Sequence, residues 1–182
     1  MVFAIGRRNH DWVPLLEKSV AKVFGDYAAL VSGCSSEGLS LFTGAPCFTL
    51  SFKDNATEYE SQSDNSLHTV HDNQLIWAKI LSSKEAGFLI GASCGKECDI
   101  SEADERRYRS VGLQCEHAYS VLDAKEIHGL RLIRCRNPWG HFTWTGAWSD
   151  LWDLWTPDLR RALMPTGPMQ GVFWMPFEEF LR

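Results

Sequence analysis

The sequence predicts an α+β protein, helical in its first third and mainly antiparallel β-structure after that. Three observations carry this expectation. Across residues 11–30, Leu15, Leu16, Val20, Val23 and Phe24 fall on one helical stripe, with Glu17, Lys18 and Lys22 off it. His117–Leu122 and Leu130–Arg136 alternate apolar with polar residues around a turn-like KEIHG, the pattern of a β-hairpin. Gly171–Met175 then reads as a further strand, with a short helix from Pro176.

The intervening elements follow from local signals. Asp11 suits a cap and Pro14 a first helical turn, so the first helix starts near Trp12. Gly33–Gly38 breaks that helix. Ser35 or Ser36 can cap a second, short helix through Leu41, ended by Thr43-Gly44-Ala45-Pro46. Residues 53–74 are polar with few apolar anchors, which predicts a mobile loop at a subdomain junction. A third helix is expected from Asp72 to about Ser83, with Leu75, Ile76, Ile80 and Leu81 facing inward. Phe88–Cys94 reads as a strand, and residues 95–112 as another polar stretch.

Composition bounds the function. The chain has 182 residues, room for one domain or one domain and part of another, and its 45% hydrophobic content is that of a folded protein. A net charge of −5 argues against nucleic acid as a partner, since phosphate binding needs a basic face. No apolar run reaches the roughly 18–20 residues that span a bilayer, and no secretory signal opens the chain. Six cysteines without such a signal read as reduced thiols, which predicts a cytoplasmic protein. Five of the eight tryptophans (Trp139, Trp144, Trp148, Trp152, Trp155) crowd one stretch, as core packing or as a wall of a substrate cleft.

The segment Gly112–Asp150 carries the chemistry. His117 opens one predicted strand and Asn137 closes the next, 20 positions on. Folding the hairpin brings the imidazole and the carboxamide to one end of the sheet. There the amide oxygen can accept from one ring nitrogen, fix the tautomer, and leave the other nitrogen facing a nucleophile. Trp139 would cover that hydrogen bond and exclude water. The plainer reading stands beside it: a histidine at a strand start is often a surface or core residue, and Asn-Pro is a common turn. Cys94-x-x-x-Cys98 lacks the second pair that a zinc site needs, and Gly91…Gly95 lacks the ending of a phosphate loop.

His117-Ala118-Tyr119-Ser120-Val121, Arg136-Asn137-Pro138-Trp139-Gly140 and Trp144-Thr145-Gly146-Ala147-Trp148-Ser149-Asp150 resemble the calpain family of cysteine proteases, where the histidine and asparagine belong to the catalytic triad. The likeness runs on through Trp12–Lys18, Ser36-Glu37-Gly38 with Thr43-Gly44, and Gly171–Met175. VFAIGRRNHDW resembles the strand before the first helix, and IWAKILSSKEAGFLIGASC and HAYSVLDAKEIHG are similar to the small-optic-lobes-type calpains in particular. The resemblance implies a papain-like, calpain-type protease core. Residues 1–50 would be the helical end of its first subdomain, and residues 51–182 its β-rich second subdomain. Protein or peptide substrates follow.

In papain-like enzymes the nucleophile precedes the histidine by roughly 130–150 residues. Counting back from His117 runs off the start of the chain, so the cysteine and the oxyanion donor are expected on an N-terminal subdomain outside it. Cys34 and Cys47 lie too close and lack the helix-start context. Cys115 leads into the histidine's own strand and cannot easily reach its free face. The family's calcium sites are matched by Glu37 in the first subdomain and Asp150 in the second. The other second-site positions are Thr143, Gln170 and Val172, none offering anionic oxygen, so no cofactor is expected to be required. The expectation is an endopeptidase core carrying the His/Asn half of a triad and inactive alone. Its rival is a catalytically dead module that binds extended peptides.

Overall fold

The computed structural model describes residues 10–31, 33–53, 56–61, 67–70, 73–94, 101–164 and 167–182. The expected N-terminal strand over residues 2–9, the helix start at Asp72, and residues 95–100 with Cys98 lie outside the described residues. The chain divides into two compact units, Met1–Gly44 and Ala45–Arg182.

The first unit holds α1 (Trp12–Phe24), a 3-10 turn (Ala28–Leu30) and α2 (Ser35–Thr43). Asp11 starts α1 through its backbone carbonyl, which accepts from Leu15 N–H at 3.2 Å; its side chain makes no cap bond. The apolar stripe of α1 is largely exposed, at Leu15, Leu16, Val23 and Phe24, and only Ala21 of the helix is buried. A unit this short has too little chain to cover a helix face. α2 is capped at Cys34 rather than at Ser35 or Ser36. The Glu37 carboxylate reaches back to Cys34 N–H at 3.2 Å, and Gly44 ends the helix in the left-handed region at φ 68°.

The second unit opens with a three-stranded antiparallel meander, β1 (Phe48–Lys53), β2 (Ala56–Ser61) and β3 (Leu67–Val70). This overturns the expected loop over residues 53–74. Thr49, Phe52, Thr57, Tyr59, Thr69 and Val70 are strand formers, and only two residues separate the paired Lys53 and Ala56. Low hydrophobicity hid a sheet built on cross-strand pairs.

A second sheet follows with order β4-β5-β6-β7, antiparallel throughout: β4 (Ile90–Cys94), β5 (His117–Ile127), β6 (Leu130–Arg136) and β7 (Val172–Pro176). The hairpin loop is tighter than KEIHG, since Lys125–Ile127 pair within it. Only His128 and Gly129 turn, at φ 52° and 77°, the positive pair a two-residue hairpin demands. Leu132 and Ile133 are both fully buried because β6 has a core on each face. Ile133, Cys135, Phe173 and Tyr119 pack with α3 (Asn73–Glu85) and α6 (Phe177–Phe180), and Leu132 and Trp174 pack on the other face with Trp148 and Leu163.

α3 turns Ile76, Trp77 and Ile80 into the first core, while Leu75, expected inside, faces out. α4 (Glu102–Ser110) occupies part of the stretch read only as polar. It has no apolar stripe, but Ser101 caps it, accepting from Asp104 N–H at 3.2 Å, and acidic then basic turns complement its dipole. α5 (Pro157–Leu163) starts the same way at Thr156, with Pro157 at its first position. Phe88 and Leu89, expected in a strand, are exposed and precede β4.

Candidate active site

Asn137 sits just past the end of β6 and is fully buried, a polar side chain with no access to water. Burial on those terms is tolerable only when every polar atom is partnered. Each one is. The backbone N–H donates to Gly171 O at 2.8 Å, and the carbonyl accepts from Gly140 N–H at 3.0 Å. Nδ2 donates to His141 O at 2.9 Å and to Phe142 O at 2.8 Å, and Oδ1 accepts from Trp139 N–H at 3.0 Å. Oδ1 also lies 2.8 Å from His117 Nε2. This falls inside the hydrogen-bond reach that the hairpin predicts for the pair.

That network decides the chemistry of the ring. Two carbonyls hold the NH2 group, so the amide cannot be turned over, and its oxygen can only accept. The proton between the residues therefore belongs to His117 Nε2. In the neutral ring Nδ1 is then left as the basic lone pair.

Glycines make the geometry possible at two close approaches. Gly171 has φ 78°, and a Cβ there would stand 2.5 Å from Asn137 O. Gly112 has φ 79°, and a Cβ there would run into Thr143 O, beside the bond from Thr145 N–H to Val111 O that ties the segment before β5 to the loop after Asn137. Phe142 itself has φ 57°, unusual for its type, and this turn brings its carbonyl to Nδ2.

Aromatic rings surround the imidazole. Trp139 lies over His117 with ring centroids 4.0 Å apart and planes 40° apart, although the residue is 53% exposed. Tyr119 meets His117 edge-on at 5.0 Å, and its hydroxyl accepts from Gln114 N–H at 2.9 Å, pinning the segment that leads into the histidine. Burial pushes the Tyr119 hydroxyl up to about 12, so it stays a phenol. Of the tryptophan cluster, Trp144 joins the first core, while Trp148, Trp152 and Trp155 pack together at the second.

The described cysteines Cys34, Cys47, Cys94, Cys115 and Cys135 are free thiols. Burial pushes Cys94 and Cys135 up to about 12. It raises Cys115 too, helped by the Glu105 and Glu116 carboxylates. Each of these three holds its proton where a nucleophile would need to lose it.

Among the described residues the acids matched to the family's calcium sites do not gather into a ligand set. Glu37 is engaged as a helix cap in the first unit. Asp150 is half-buried in the second, raised by burial against the pull of the Arg160 and Arg134 guanidiniums. Among the described residues no three His, Cys, Asp or Glu side chains gather as a ligand set, where calcium takes about 6–8 oxygens. Nor is any helix among them long and apolar enough to cross a membrane.

The whole chain, residues 1–182, matches the calpain family cysteine proteases. It belongs to that family. The calpain-type cysteine protease DEK1 of Zea mays is 34% identical over 98% of the chain, and ADL1 of Oryza sativa subsp. japonica, a protease of the same type, is 33% identical over 98%. The calpain-1 catalytic subunit of Sus scrofa is 37% identical over 96%. The chain spans only 8% of DEK1 and of ADL1, and 22% of the calpain-1 subunit.

Sequence reasoning reached His117, Asn137 and Trp139. It missed Gly171, Tyr119 and the carbonyls of His141 and Phe142. Gly171 was readable, as a glycine just before a buried strand, whereas no side-chain signal announces a carbonyl acceptor.

Asn137→Asp tests the network. The introduced carboxylate would face two carbonyls where an NH2 group donated, costing about 2–4 kcal/mol of stability at neutral pH. Only the protonated acid can donate to one of those carbonyls, so folding raises this group's pKa. The penalty is therefore smallest below the ordinary carboxylate range and grows as pH rises through the folded value. Urea midpoints from pH 4 to 8 check this; a small, flat cost would contradict it.

Proposed function

We propose that this chain is the His/Asn half of a calpain-type cysteine endopeptidase core, with His117 as general base and then acid and Asn137 as its orienter. The observation that supports this most is the 2.8 Å bond from His117 Nε2 to an amide oxygen that cannot turn away. The first unit is read as the end of the first protease subdomain. The exposed apolar face of α1 is then the surface that the rest of that subdomain covers.

The chemistry follows from the tautomer. A thiol brought to Nδ1 gives it a proton, and the thiolate attacks the peptide carbonyl carbon. Nδ1–H then protonates the leaving amine. Nδ1 next takes a proton from water, whose oxygen attacks the thioester and releases the acid and the thiol. Through every step Nε2–H stays bonded to Asn137, so the ring changes charge without turning. Trp139 keeps water off that bond. The thiol and the oxyanion donors come, on this reading, from a segment outside the chain, because the buried thiols here hold their protons.

The purified chain should therefore hydrolyse no peptide above background. Adding the first subdomain, fused or in trans, should restore cleavage that thiol alkylation abolishes. His117→Ala should then remove about 10²–10⁴-fold of kcat, the span of general acid–base catalysis, and Asn137→Ala less. Thiol-sensitive cleavage by the chain alone, lost on Cys115→Ser, would overturn the assignment. No cleavage after completion would favour the peptide-binding module.

Calcium is read as unnecessary to this chain. With one carboxylate retained at the second site, affinity falls to about the millimolar range or weaker. Stabilisation then grows too slowly to register at about 0.1 mM metal. A rise in Tm of several degrees at that concentration would show an unrecognised ligand set.

A further inference from the structure

Trp139 presents a physical problem that the preceding reading leaves open. The cover over the His117–Asn137 bond is the indole of a residue that is more than half exposed. A side chain so free to leave its rotamer loses the entropy of being held, and one ring contact is worth only about 0.5–1.5 kcal/mol. A second contact is needed to hold the indole in place.

His141 is placed to do so. Its ring stacks on Trp139 with planes 28° apart and centroids 6.2 Å apart, and its Nδ1 lies 3.0 Å from Trp139 O. A carbonyl oxygen only accepts, so His141 Nδ1 carries the proton and donates, the tautomer opposite to that of His117. The ring is thereby tied to the backbone of the residue it stacks on. Trp139 thus has two imidazoles as ring neighbours, one belonging to the proposed catalytic pair and one exposed to solvent.

We propose that His141 is a positioning residue, its side chain clamping Trp139 over His117 so that the His117–Asn137 bond stays shielded from water. The inference rests on the pair and the cover named above. It assigns His141 a role distinct from that of its backbone carbonyl, which holds Asn137 Nδ2 and survives any substitution of the side chain.

The test needs no completed protease. In the 182-residue chain, the His117 Nε2 proton is followed by NMR and its exchange with water is measured beside Tm. His141→Ala should speed that exchange about five- to tenfold, the worth of one modest hydrogen bond or stacking contact, with Tm held within about two degrees. His141→Asn, which can keep the bond to Trp139 O, and His141→Phe, which keeps the stack, should each recover part of the protection. Were His141→Ala to unfold the chain, the comparison of the Asn and Phe variants with wild type decides alone. Unchanged exchange in every variant would overturn the clamp. A wild-type spectrum without a protected Nε2 proton would instead overturn the His117–Asn137 reading beneath it.

Discussion

The Asn137 carboxamide is the constraint on which the site depends. A primary amide out of contact with water must satisfy two N–H donors and an oxygen, and here one arrangement does so. Its donors go to consecutive carbonyls, His141 O and Phe142 O, which orients the group. Its acceptor then has one direction left, toward His117 and Trp139 N–H. The histidine's tautomer is thus a consequence of packing, and the energy that enforces it is the cost of an unpartnered buried amide, about 1–3 kcal/mol per group.

The sheet supplies the rigidity this requires. β6 carries Leu132 to one core and Ile133 to the other, so a register slip by one residue would exchange two filled faces. Asn137 inherits its position from that strand, and Gly171, one residue before β7, closes on its backbone from the neighbouring chain segment. His117 inherits its position from β5, where it pairs with Cys94 of β4. The hydrogen bond between them therefore joins two elements already fixed by cross-strand ladders. The glycines Gly112 and Gly171 mark where backbone must pass closer to backbone than any side chain allows.

How much of this was legible follows the physics of each element. The His117–Asn137 pairing was readable because alternation and turn chemistry bound the hairpin, and a hairpin brings its open ends together. Alternation made β6 visible, and burial on both faces made β7 visible as an apolar run. The meander β1–β3 escaped notice since its strands are rich in polar and β-branched residue types, which a search for apolar anchors passes over. α4 escaped it because a helix without an apolar stripe announces itself only through Ser101 and its charge order. The stripe on α1 was legible but its exposure was not, since periodicity says which face is apolar, not what lies against it. Phe142 and Trp148 hold left-handed backbones, at φ 57° and 68°, that neither residue type advertises.

The central claim is that the buried amide dictates which nitrogen of His117 is free. The 15N chemical shifts of the His117 ring in its neutral form read this directly. The account predicts a protonated Nε2 and an unprotonated Nδ1 in the wild-type chain, with the two tautomers mixing once Asn137 is replaced by alanine. A ring protonated at Nδ1, or shifts that do not change when the amide is removed, would contradict it.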